Sequence, residues 1–154
     1  MGAAYFYHLT RRPLEETLPL LLEKALQAGW RVAVRGTDPD RMEWLDAKLW
    51  QGAEDTFLPH GLAGRQHEAD QPVLLTTTVE MPNGATCLMT VDGAAIAPEE
   101  VMALDRACVL FDGNDQTAVQ AARSHWKALT KAGCAALSWS EASAKWEKKA
   151  ESLK

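Results

Sequence analysis

Cysteine is scarce in this chain and is never clustered. Cys87, Cys108 and Cys134 are the three cysteines in 154 residues, an odd number at wide spacing. Because the chain has no C-x-x-C motif and no Cys/His cluster, the sequence supports neither a zinc site nor a disulfide framework. Cys87 and Cys108 stand in apolar runs, so we expect them to be small buried hydrophobic residues.

Excess positive charge and long apolar runs are also missing. The net charge is −5 and the pI is near 5.4. Proteins that grip phosphate backbones usually carry a basic surface, because counterion release drives that binding. We therefore expect contact with nucleic acid only through other proteins. No apolar run reaches bilayer length and no leader-like segment opens the chain, so we expect no membrane association and a cytoplasmic location.

A glycine-rich phosphate loop is absent as well. The sequence contains no G-x-x-x-x-G-K-[ST] motif, and its first predicted strand is followed by T-R-R-P at residues 10–13. A backbone without glycine at that turn cannot approach a pyrophosphate closely. The sequence therefore predicts no nucleotide cofactor.

Groups that could do chemistry are few. His60 and His67 lie in one loop, but a metal site needs three or four ligands in fixed geometry, so we expect no metal. No serine or cysteine stands in a nucleophile motif. Asp112 and Asp115 follow a predicted strand, where turn formation and helix capping explain both. We expect no catalytic residue. The alternative is a small α/β enzyme or nucleotide-binding protein that uses Asp112, Asp115 and His60.

What the sequence does contain is a regular alternation of strand and helix patterns. Apolar runs predict strands over residues 3–9, 30–35, 73–79, 86–91, 107–111 and 135–139. Helical spacing predicts helices over residues 14–28, 38–50, 98–104 and 115–132. Continuous apolar strands between helices are typical of an α/β fold in three layers, with helices on both faces of a mainly parallel central sheet. This layout is Rossmann-like, without the nucleotide-binding loop.

The domain boundaries follow from the same pattern. We expect residues 1–140 to form a single α/β domain and residues 141–154 to be a charged C-terminal tail, helical or frayed. Pro19 falls inside the first helical pattern, where it removes a hydrogen bond and crowds the preceding turn. We expect a kink or a late helix start there.

The most informative segment is L-D-A-K-L-W-Q-G-A-E-D-T-F-L-P-H-G-L-A-G at residues 45–64. It places Trp50, Phe57, Leu58 and Leu62 among turn-forming glycines and a proline, which favour the surface. Large apolar side chains at a surface are typical of a docking site for another protein. A satellite core under a long loop explains the pattern equally well.

The predicted helix after Asp115 carries a second candidate surface. Ala118, Ala122, Trp126 and Leu129 form its expected buried stripe at 100° intervals. Arg123 and Lys127, four residues apart, share the neighbouring face, and Val119 and Trp126 border it on the apolar side. Two cations beside an apolar ledge suit a ligand that has a carboxylate and a bulky apolar group. An ordinary solvated basic face is the alternative.

With these features in place, the chain resembles the chi subunits of bacterial DNA polymerase III, which are accessories of the clamp-loader complex. The matching pieces are Y-F-Y at residues 5–7, G-W-R-V at 29–32, L-D-x-x-L-W leading to F-L-P-H-G-L-A-G, and W-K-A-L-T-K-A-G at 126–133. The resemblance covers residues 4–137. It implies a noncatalytic adaptor with a mononucleotide-binding-like α/β fold.

The resemblance also implies two partners. The psi subunit would bind at Trp50, Phe57, Pro59 and His60, and a different clamp-loader subunit or a repair helicase is the alternative partner there. The acidic C-terminal tail of single-stranded-DNA-binding protein would bind at three positions of the later helix, namely Arg123, Trp126 and Lys127.

One departure from the family pattern affects these expectations. A well-studied branch of the family has a basic residue one turn before Arg123, where this chain has Val119. Either tail binding is weaker for this reason, or Lys131 or the cluster Lys145, Lys148 and Lys149 compensates for it. A further alternative is that the apolar segment serves self-association of the chain through Trp50 and Phe57.

Overall fold

A computed structural model describes residues 3–10, 13–51, 60–64, 68–140 and 147–152 of the protein. The described strands are β1 (Ala3–Leu9), β2 (Val32–Arg35), β3 (Gly61–Leu62), β4 (Val73–Thr76), β5 (Cys87–Thr90), β6 (Arg106–Asp112), β7 (Ala135–Ser140) and β8 (Glu147–Ser152). The described helices are α1 (Leu14–Gln27), α2 (Pro39–Trp50), α3 (Pro98–Ala103) and α4 (Gln116–Lys131).

The strands form one eight-stranded sheet in the order β3-β4-β2-β5-β6-β1-β7-β8. Every neighbouring pair is parallel except β7 and β8, which are antiparallel. All four residues of β2, of β4 and of β5 are buried. Strands buried on both faces need continuous apolar runs, which explains why their sequences lack alternation.

Helices cover both faces of this sheet, so the expected three-layer α/β architecture is confirmed. On one face α1 and α2 pack their apolar sides, including Leu18, Leu22 and Leu45, onto the sheet. On the other face α3 and α4 contribute Val101 and Leu129 to a second core. Successive strand residues point to opposite faces, so each strand of the centre contributes to both cores.

A buried ion pair fixes α3 to the sheet. The Arg35 guanidinium, at the end of β2, donates to both carboxylate oxygens of Glu100 at 2.9 and 2.7 Å. It also donates to the backbone carbonyls of Thr78, Val79 and Ala95. All five N–H groups of the guanidinium are therefore satisfied, as a buried charge requires.

Two local expectations were wrong, and the late start considered for the first helix does not occur. Residues 147–152 form β8 and are not helical, because pairing with β7 satisfies their backbone groups without needing an apolar pattern. Within the segment expected to be a loop, Gly61–Leu62 forms β3 beside β4 for the same reason. Helix α1 begins at Leu14 and contains Pro19, so its start is not delayed.

Candidate functional site

Trp50 lies at the end of α2 with its side chain on the surface. Asp38 caps the start of this helix by accepting a hydrogen bond from the Asp40 N–H at 3.0 Å. From that start, helical periodicity turns Met42, Leu45 and Leu49 into the core. Trp50 is one residue beyond the last of them and remains 54% exposed. The satellite-core alternative therefore does not apply to Trp50.

His60 lies against Trp50 but is itself sealed from solvent. Its side chain is 0% exposed, and its ring centroid is 4.1 Å from that of Trp50, with 31° between the planes. The imidazole Nε2 is 3.1 Å from the Asp46 carbonyl oxygen and 3.3 Å from Asp46 Oδ1. The imidazole is thus anchored to α2 and supports one face of the indole.

The predictions for the other residues of the 45–64 segment are confirmed or tested to different degrees. Phe57, Leu58 and Pro59 lie outside the described residues, and their roles stay predictions. Leu62 belongs to β3 and packs against the core beneath α2. Asp46 is a residue that our sequence reasoning missed, although it is the aspartate of the L-D-x-x-L-W motif.

Helix α4 presents the second candidate surface. Asp115 caps it by accepting a hydrogen bond from the Thr117 N–H at 2.9 Å. Ala122 and Leu129 are buried, as the predicted stripe requires. Trp126 is half-buried and meets Phe6 of β1 edge to face, with ring centroids 5.2 Å apart. One edge of the indole therefore borders the outer surface of α4.

The two candidate cations of α4, Arg123 and Lys127, lie on its outer surface. Arg123 and Lys127 are exposed, and no ion pair or hydrogen bond of either side chain occurs within the described part of the chain. Lys127 shares a shallow groove with Lys131, one turn further along. Val119, one turn before Arg123, is half-buried. The geometry leaves both guanidinium and ammonium groups available to a ligand.

Asp112 and Asp115, the candidate acids of the alternative enzyme function, serve the backbone. Asp112 Oδ1 accepts a hydrogen bond from the Asn114 N–H at 2.8 Å, and Asp115 caps α4. A Cβ atom on the intervening Gly113 would meet the His8 ring. The side chain of His8 therefore occupies the space beside this turn.

A cavity of about 580 Å³ opens beside this turn, where the connections after β1 and β6 leave for opposite faces of the sheet. Open α/β sheets usually bind ligands at such a point. Among the described residues, four carboxylates and one cation line the cavity, and that cation, Arg41, is engaged with Asp92 at 3.1 Å. Among the described residues, no group of three or more His, Cys, Asp or Glu side chains could hold a metal ion.

Comparisons with known proteins agree with the motifs. The family described as "DNA polymerase III chi subunit, HolC" matches residues 1–136. A relative from Rickettsia prowazekii (strain Madrid E), "Probable DNA polymerase III subunit chi", is 28% identical over 91 residues. That match spans 59% of this chain and 55% of the relative. Of the described helices, none is long and apolar enough to cross a membrane. On the family match, which covers most of its length, the chain belongs to the DNA polymerase III chi subunit family.

Proposed function

We propose that this chain is a noncatalytic accessory subunit of DNA polymerase III in DNA replication, working in the cytoplasm as an adaptor between two proteins. One partner is the psi subunit of the clamp-loader complex. The other is the acidic C-terminal tail of single-stranded-DNA-binding protein. Family membership supports the polymerase assignment, and the presence of two separate exposed surfaces supports the adaptor role.

The position of the two surfaces is the observation that carries this proposal. Helix α2, which bears Trp50, packs on one face of the sheet, and α4, which bears Arg123 and Lys127, packs on the other. The central sheet separates them, so two partners can be held together without steric conflict. Such bivalent linkage raises the effective concentration of the second partner and makes modest individual affinities sufficient.

Trp50 is the anchor of the first surface. An exposed tryptophan whose ring is already held by a neighbour loses little conformational freedom on binding, which favours a role as an interface hot spot. His60 holds the indole from the protein side. It therefore contributes to the psi site through Trp50, while Phe57 and Pro59 would complete the contact. A different clamp-loader subunit or a repair helicase would use the same anchor.

Arg123 and Lys127 form the polar half of the second surface. A peptide tail that ends in an aromatic residue offers a free carboxylate to the cations and a ring to the Trp126 edge. Lys131 continues the row of cations in the direction away from Val119. Since the whole chain carries a net charge of −5, contact with DNA occurs through the bound protein.

A peptide titration tests the tail site. We expect a labelled tail peptide to bind the wild-type chain, and Arg123→Ala/Lys127→Ala to weaken binding by about tenfold or more, because two charge-assisted hydrogen bonds are lost. Fluorescence anisotropy at low and physiological salt measures this, and binding should fall as salt rises. Lys48→Ala removes an exposed cation from α2 and is the matched control.

Equal affinities for the wild type and the double variant would contradict the assignment of this site. A pull-down with single-stranded-DNA-binding protein, intact or lacking its last few residues, tests the partner itself. Retention of the truncated protein would show that its tail is not the recognised element.

A further inference from the structure

A cavity unrelated to either surface lies at the end of the sheet where the strands begin. It has a volume of about 260 Å³ and lies under the last turn of α1, beside the first residues of β5 and β6. Its floor is formed by sulfur-containing and apolar side chains, among them Cys87, Met89 and Cys108. Ala28, at the end of α1, is exposed and Trp30 is half-buried, so both lie on the outer side of the cavity.

Arg106 supplies a fixed cation to this cavity. Its guanidinium carbon is 4.0 Å from the ring centroid of Tyr5 and 5.0 Å from that of Trp30. Two aromatic rings therefore hold the planar group in place. Within the described ranges, no carboxylate forms an ion pair with it. Lys24 adds a second cation at the rim, and none of the described residues that line the cavity is an aspartate or a glutamate.

The walls do not neutralise this positive charge. The thiol of Cys87 beside Cys108, together with burial, raises the pKa of the Cys108 thiol well above its usual range. Burial likewise raises the pKa of the Tyr7 phenol, so both groups are protonated at neutral pH. In the last turn of α1, the carbonyls of Lys24, Ala25 and Leu26 accept hydrogen bonds from the N–H groups of residues 28–30.

We propose that this cavity binds a small organic carboxylate with an aromatic or branched apolar body. The apolar floor would take the body, and Arg106 and Lys24 would pair with the carboxylate. A volume of about 260 Å³ is just below that of cavities for drug-sized ligands, which limits the ligand to about ten non-hydrogen atoms. This site is independent of the adaptor role, since neither Trp50 nor Arg123 contributes to it.

An NMR titration of the full chain tests the proposal with three probes of one shape. Phenylacetate carries the carboxylate, phenylacetamide is its neutral analogue, and 2-phenylethylamine is a cationic one. We expect phenylacetate to shift the signals of Arg106, Trp30 and the last turn of α1, with a Kd on the order of 1 mM. The amide should bind about tenfold more weakly and the amine should not bind.

Three variants separate recognition from folding. Arg106→Gln should abolish the preference for phenylacetate over phenylacetamide, and Lys24→Gln, on the exposed rim, should weaken phenylacetate binding severalfold with an unchanged melting temperature. Ala28→Leu narrows the mouth and should weaken both probes equally. Equal binding of the acid and the amide to the wild type would overturn the proposal. Shifts confined to α4 would overturn it as well, because they would place the carboxylate at the other cationic surface.

Discussion

At the scale of single residues, the pair of Trp50 and His60 shows how one buried side chain sets the exposure of another. The indole is exposed because α2 ends there, and the imidazole beneath it is held by the Asp46 carbonyl. Sequence reasoning identified both residues and assigned both to partner contact. It could not predict that Trp50 is exposed and His60 is buried, because the burial of His60 depends on a carbonyl 14 positions away in the chain.

Replacing His60 should therefore affect stability. We expect His60→Ala to lower the free energy of unfolding by about 1–3 kcal/mol, because the buried hydrogen bond to the Asp46 carbonyl is lost and the indole loses its support. Urea unfolding of the two proteins measures this difference. His60→Gln, which keeps a donor, should recover part of the loss. A change below about 0.5 kcal/mol for the alanine variant would show that the imidazole is not a structural support.

At the scale of elements, the structure separates what sequence patterns can and cannot predict. Strand β1 and helix α4 were predicted almost to their ends, since an apolar run and an aspartate cap mark them. Strand β8 was not, because E-K-K-A-E-S has no apolar alternation. Its pairing depends on the free edge of β7, which exists only after the sheet has formed. The attachment of α3 through Arg35 and Glu100 could not be predicted from the sequence either, since these residues are 65 positions apart.

The attachment of α3 should depend on pH. The hydrogen bond from Arg35 lowers the pKa of Glu100 below its usual value of 4.5 in the folded protein. A carboxyl group with a lowered folded pKa contributes stability above its unfolded pKa and loses it as the pH falls through the folded value. Glu100→Gln should therefore cost about 3 kcal/mol at pH 7, since Arg35 remains buried.

Urea unfolding at several pH values between 7 and 3 measures this dependence. The difference between wild type and Glu100→Gln should be constant at neutral pH and shrink below about pH 4.5, where the wild-type carboxyl group becomes protonated. Glu99→Gln changes an exposed neighbour on the same helix and is the control. A difference that stays constant down to pH 3 would contradict the role of the ionised carboxylate.

At the scale of the whole molecule, the two surfaces should act independently. Trp50→Ala should lower the melting temperature less than His60→Ala does, because more than half of its side chain is exposed, yet weaken the proposed psi complex by about 2 kcal/mol or more. Arg123→Ala/Lys127→Ala should weaken the tail complex alone. Calorimetry of each variant with each partner measures all four combinations. Tail binding that falls in Trp50→Ala would show that the surfaces overlap or communicate.

The fold class, the order of the elements apart from β3 and β8, and the family were predictable from the sequence, because apolar runs, caps and the 45–64 motif are local signals. The cavity beside Arg106 was not predictable. Its lining comes from α1, from β1, β5 and β6, and from Trp30, and none of these segments carries a motif for it. Side chains that are brought together only by the topology of the sheet have no characteristic spacing in the sequence.

The eight-stranded sheet between α2 and α4 has one more consequence. One continuous hydrogen-bonded sheet lies between α2 on one face and α4 on the other. In the proposed adaptor role, the chain would therefore couple its two partners passively, and a tail bound at α4 would be exchanged for a competing tail without any change at Trp50.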